Sequence, residues 1–113
     1  MKLNIGGTMM GTVMNGIKVY FVSEKNDIKE IRLTYHNGKK YADLSNGTYA
    51  VVNIQGTQRI HIYQKLSPMA SFFSIGGYPL LGEFDARQGC YYEIRYRKQG
   101  LLWKAVAREV GPF

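Results

Sequence analysis

Between residues 31 and 65, short runs of β-branched and aromatic residues are cut three times by glycine-centred turns, at Asn37-Gly38, Ser45-Asn46-Gly47 and Gln55-Gly56-Thr57. Asn-Gly can place both central residues at positive φ, as a type I′ turn requires, and such a turn twists in step with its flanking strands. The segment therefore reads as four strands in an antiparallel meander. Alternation agrees. Ile31, Leu33 and Tyr35 fall on one face and Arg32, Thr34 and His36 on the other. Likewise Ala50, Val52 and Ile54 oppose Tyr49, Val51 and Asn53, and Ile60 and Ile62 oppose Arg59, His61 and Tyr63. A period of two marks strands with one buried and one wetter face.

The flanking sequence continues in the same style. Asn15-Gly16 precedes a strand over 17–22, and 9–14 either pairs with it across that turn or forms a tail. A charged connection over 23–30 leads into the meander. The segment 66–82 contains no charged residue and is long for a connection inside one domain, a length usually kept for functional or mobile loops. A short strand over 80–84, a turn over 85–89, a strand over 91–96, a turn at Gln99-Gly100 and a last strand over 101–110 follow, with Gly111-Pro112 as the stop. No helical period competes. Seven or eight short strands predict an all-β fold, an antiparallel β-sandwich of immunoglobulin or transthyretin-like style in preference to a small β-barrel. Residues 1–16 read as a tail or hairpin strand and 17–113 as a single sandwich domain, large enough to fold without disulfides or metal.

Catalytic constellations are lacking. The single cysteine, Cys90, rules out an internal disulfide and a cysteine-based zinc site, and it reads as a small, partly buried thiol. His36 and His61 share a side by alternation, but with Asp43 the sole acid near them in sequence they read as hydrogen-bonded histidines rather than metal ligands. Glu83 and Asp85 share a strand face and read as turn and salt-bridge residues. Gly76-Gly77 is not followed by the Lys-Ser/Thr of a phosphate loop. The expectation is a protein without catalytic residues, cofactor or metal.

Charge points to a binding role. Fifteen Lys and Arg against eight Asp and Glu give +7 and a pI near 9.6, which favours an anionic partner. Tyr91, Glu93, Arg95 and Arg97 lie on one face of their strand with Lys98, Lys104 and Arg108 near in sequence; Arg59, His61 and Tyr63 form a second outward row. Tyrosine beside arginine on a sheet face suits single-stranded nucleic acid, with rings for stacking and cations for phosphate. The same tyrosines also suit half-buried sandwich positions. In the uncharged segment, Met69, Phe72, Phe73, Ile75 and Tyr78 either plug an end of the sandwich or form an apolar patch for a partner chain, self-association or a membrane surface. The primary expectation is a binding or scaffold module acting through 66–82 and a basic sheet face, with an anionic lipid or glycan surface as a further partner. A single-stranded nucleic-acid-binding domain is the alternative.

The strand at 17–21, the turns Asn37-Gly38-Lys39-Lys40 and Leu44-Ser45-Asn46-Gly47-Thr48-Tyr49, and the late Gly89-Cys90-Tyr91-Tyr92 together resemble the bacterial DUF2846-type domains. These are small β-sandwiches, often found in envelope lipoproteins and similar in style to PEGA and transthyretin-like modules. The resemblance spans about 17–96 and implies a bacterial envelope location and no catalytic residues. Gln55-Gly56 stands where that family usually has Pro-Gly. The N-terminus begins as a signal peptide does, with Lys2, but has neither a continuous apolar core nor a lipidation cysteine, so the chain reads as made without a signal or trimmed.

Overall fold

The computed structural model describes residues 15–26, 28–35, 39–67 and 78–113, and these form eight strands and no helix. In chain order they are β1 (Ile17–Ser23), β2 (Glu30–Tyr35), β3 (Lys40–Ser45), β4 (Thr48–Val52), β5 (Thr57–Gln64), β6 (Leu80–Arg87), β7 (Cys90–Gln99) and β8 (Leu102–Pro112). They assemble into two four-stranded sheets, β4-β1-β7-β8 and β3-β2-β5-β6. All pairs are antiparallel except β1 with β7, which run parallel from Lys18↔Tyr91 to Ser23↔Tyr96. The sheets do not close into a barrel. This is a β-sandwich.

The interior is what period-two alternation dictates. Ile17, Val19 and Phe21 of β1 and Ile94 of β7 face Ile31 and Leu33 of β2 and Ile60 and Ile62 of β5, all without solvent exposure. Leu44, Val52, Ile54 and Ala86 complete the apolar layer between the sheets. Each aliphatic side chain buried this way contributes about 1.5–3 kcal/mol.

The meander expected over 31–65 is divided between the two sheets. β2, β3 and β5 belong to one, but β4 pairs with β1 in the other, from Ile17↔Val52 to Phe21↔Thr48. The Asn46-Gly47 turn is a corner between sheets rather than a hairpin within one. Gly47 N donates to Phe21 O at 2.8 Å, Ser23 N donates to Asn46 Oδ1 at 2.9 Å, and Asn46 N donates to Lys29 O at 2.9 Å. The end of β1 thereby captures the turn, and β4 continues along β1. Gly47 sits at φ +82°. The Asn37-Gly38 turn lies outside the described residues.

Three bulges interrupt the ladders; one, between Tyr91 and Tyr92, skips Val110 of β8, and the other two bear on burial and on the sheet edges. Between Leu33 and Thr34 the β2–β3 ladder skips Tyr41, and Thr34, expected on the wet face, is buried. A bulge adds one residue to one strand and re-aims its side chains. The second bulge, between Ile62 and Tyr63 against β6, skips Leu81 and brings Gly82 against β8. A Cβ at Gly82 would run into the carbonyl oxygen of Ala105, so glycine permits the edges of the two sheets to touch.

The last three strands are longer than the sequence suggested. β6 continues to Arg87, and the turn is only Gln88-Gly89, because Thr57↔Arg87 and Gln88 N donating to Gly56 O at 2.8 Å extend the β5–β6 ladder. β8 runs through Gly111-Pro112, where the sequence predicts its stop. Proline is accepted there because β8 is an edge strand and its outer side needs no donor.

Candidate binding face

The sandwich presents two outer faces, and their electrostatics differ. On the β3-β2-β5-β6 sheet, cross-strand register sets cations against acids. Arg32 Nε donates to Asp43 Oδ1 at 2.8 Å, and Lys65 lies 3.2 Å from Asp43 and 3.4 Å from Glu30. Arg59 Nε donates to Glu83 Oε1 at 3.1 Å, and Arg59 also pairs with Asp85 at 3.1 Å. His61 Nε2 stands 3.7 Å from Glu83, with the Tyr63 ring edge-on at 6.2 Å. The Arg32 guanidinium holds the Asp43 carboxyl below its ordinary range against the opposing effect of burial, and Lys65 adds to it. The Arg59 guanidinium does the same for Glu83. Arg59, His61 and Tyr63 do line one outward face, but it is a neutralised one. Glu83 and Asp85 share that face and serve in salt bridges, as their spacing suggested.

The outer face of β4-β1-β7-β8 is basic. Alternation puts Lys18, Tyr20 and Val22 of β1 and Tyr91, Glu93, Arg95 and Arg97 of β7 outward, with Lys104, Val106 and Arg108 opposite them on β8 and Tyr49 and Val51 on β4. One acid serves two arginines: Glu93 lies 3.6 Å from Arg95 and 3.4 Å from Arg108. Arg95 also reaches Glu24 at 3.3 Å. Arg97 and Lys104, paired across the ladder, form no ion pair with any described residue.

Beside the arginines is an aromatic cluster. Tyr20 and Tyr49, directly paired across β1–β4, have ring centroids 4.7 Å apart, and Tyr49 and Tyr91 are 6.2 Å apart. Lys18 Nζ sits 4.6 Å from the Tyr49 ring and 5.2 Å from that of Tyr91, the geometry of a cation–π contact. The hydrogen bond with the Tyr49 hydroxyl raises the Tyr91 phenol above its usual range. Tyr49 and Val51 are the most exposed apolar side chains of β4, at 56% and 65%.

The residues singled out from the sequence are thus distributed. Arg95 and Arg97 belong to the basic face, whereas Arg59, His61 and Tyr63 lie on the opposite side of the molecule. The Tyr78 ring lies against Arg32, its centroid 5.1 Å from the guanidinium carbon. Met69, Phe72, Phe73 and Ile75 lie outside the described residues, as does His36. Lys18, Tyr20 and Tyr49 do not stand out in the sequence, because a meander over 31–65 sets β4 away from β1. The available signal was the alternation Lys18-Val19-Tyr20, which leaves a cation and a ring outward on a strand of otherwise apolar parity.

Cys90 is buried, with Arg87 Nη2 3.6 Å from its sulfur. Among the described residues no three His, Cys, Asp or Glu side chains meet as metal ligands. A groove of about 400 Å³ follows the β6–β8 seam, lined by Leu80, Leu81, Phe84, Lys104 and Val106, with Glu83 the one carboxylate among its described lining residues. No protein-family model matches the chain, and no curated protein matches it.

Proposed function

We propose that this protein is a non-catalytic binding module that holds an anionic partner on the outer face of its β4-β1-β7-β8 sheet. The observation carrying the reading is the asymmetry between the faces. Cations and acids cancel on one sheet, while on the other Lys18, Arg95, Arg97, Lys104 and Arg108 outnumber the carboxylates they meet, Glu93 on the face and Glu24 beside Arg95. An excess of one sign on one face attracts and orients a partner of the other sign. The resemblance to DUF2846-type and PEGA-like domains belongs to the same reading and puts the module in a bacterial envelope. The strand order β4-β1-β7-β8 over β3-β2-β5-β6, with its parallel central pair, supports the transthyretin-like variant of the sandwich.

The test is retention on a heparin column under a salt gradient. Arg97→Glu with Lys104→Glu is expected to elute at clearly lower salt, and Lys39→Glu with Lys40→Glu, which makes the same change of net charge elsewhere, is expected to elute close to wild type. Equal shifts for the two variants would reduce the attraction to net charge alone and remove the reading.

Single-stranded nucleic acid is the second reading, and the exposed Tyr49 ring favours it. Stacking would make Tyr49→Ala lose about 1–3 kcal/mol in anisotropy titrations with a labelled single-stranded RNA. The rings of Tyr20, Tyr49 and Tyr91 lean on one another and on Lys18, so their faces are in part already occupied. This arrangement favours a charged surface over a stacked strand.

A further inference from the structure

β1 pairs with β7 only as far as Tyr96, so beyond that point the β7–β8 hairpin leaves its sheet as a two-stranded ribbon. Arg97↔Lys104, Lys98↔Trp103 and Gln99↔Leu102 continue the ladder to a two-residue turn, Gly100-Leu101, with Gly100 at φ +61°. Turns of this kind ordinarily carry polar residues. Here the tip is apolar: Leu101 is 92% exposed and Leu102 62%. Behind the leucines, Trp103 stacks on Tyr96 at 5.5 Å, and Lys25 Nζ lies 5.6 Å over its ring. Arg97, Lys98 and Lys104 ring the tip, and the sequence holds no Asp or Glu between Glu93 and Glu109.

Two exposed leucines backed by a tryptophan and circled by cations are built for an interface where one side is apolar and the other anionic. Leucine enters the acyl boundary, the indole sits at headgroup depth, and lysine and arginine meet lipid phosphates while keeping their stems in apolar surroundings. Neither leucine contributes to the sandwich core. We propose that the tip of the β7–β8 hairpin is a membrane-docking element that inserts Leu101 and Leu102 into an anionic lipid surface, with Arg97, Lys98 and Lys104 held by the headgroups. This deepens the proposed function by naming a lipid surface as the anionic partner. The basic sheet face adjoins the tip through Arg97 and Lys104, so both contact the same negatively charged plane.

Trp103 is the chain's sole tryptophan, which makes the tip its own reporter. Vesicles of phosphatidylcholine with about one-third phosphatidylglycerol are expected to shift Trp103 emission to the blue and to pull the protein down on centrifugation; pure phosphatidylcholine vesicles are expected to do neither. Brominated acyl chains are expected to quench the emission. Leu101→Ser with Leu102→Ser, and separately Lys98→Glu, are expected to weaken co-sedimentation by about tenfold or more while leaving the thermal melt unchanged. Absence of any blue shift with the anionic vesicles overturns the proposal, and so does undiminished binding of the serine variant. If the serine pair lowers the sedimentation-equilibrium mass and leaves vesicle binding intact, the leucines join copies of the chain and the proposal fails. Should the serine variant not fold, brominated-lipid quenching of the wild type decides. Retention on heparin without vesicle binding refutes the membrane tip alone; loss of both refutes the basic face as well.

Discussion

Single residues explain where this sandwich is strict. Gly16 stands at φ +152°, and a Cβ there would strike the carbonyl oxygen of Val52 on β4. Both the backbone angle and the contact oppose a side chain, so Gly16→Ala is expected to cost about 2–3 kcal/mol in urea unfolding. Gly47 has the positive φ but open space around it, and Gly47→Ala is expected to cost nearer to about 1 kcal/mol. The Asp43 carboxylate is partly buried between Arg32 and Lys65 and titrates below its ordinary value of 3.8. The unfolded chain therefore takes up that proton first as pH falls. The stabilisation is complete above the unfolded value and is lost as pH drops through the folded one. Asp43→Asn is expected to cost about 1–3 kcal/mol at pH 7, where it leaves Arg32 without its carboxylate, and to differ much less from wild type near pH 2. Denaturant melts at the two pH values check this.

Strands and turns show which parts of the fold could be read from residues. The alternation read for β2, β4 and β5 is kept at Ile31, Leu33, Val52, Ile60 and Ile62, all buried, because an apolar residue at every second position has no other way to reach a core. What alternation does not encode is which strand a turn delivers its successor to. Ser45-Asn46-Gly47 has the chemistry of a hairpin turn, yet its hydrogen bonds to Phe21 and Ser23 send β4 to the other sheet. The candidate face was half legible for the same reason. Arg95 and Arg97 followed from β7 alone, while Tyr20, Tyr49 and Lys18 meet only once β4 and β7 flank β1. A strand that starts at Leu101, as the sequence predicts, conceals the hairpin tip. At the β6–β8 seam, Gly82→Ala is expected to cost about 1–3 kcal/mol by pressing the Ala105 carbonyl outward. Amide exchange is expected to rise in β6 and β8 more than in β1 or β2, since both affected strands are edges.

At the scale of the molecule, the two sheets differ in their exteriors: one is charge-compensated and the other is basic. The parallel β1–β7 pair also dictates when the fold can form. β1 lies inside its sheet, and one of its two neighbours comes from the last quarter of the chain, Lys18 against Tyr91. Contacts that distant in sequence must close a long loop before they stabilise anything, which slows folding. A fragment ending at residue 88 lacks both β7 and β8 and is expected to remain unfolded by circular dichroism and by amide exchange, although it contains six of the eight strands. During synthesis the edge of β1 that takes β7 therefore stays unpaired until residues 90–99 are available. Membership of the native state is decided late and all at once, so a chaperone that shields β1 would act for as long as β7 is still to be made.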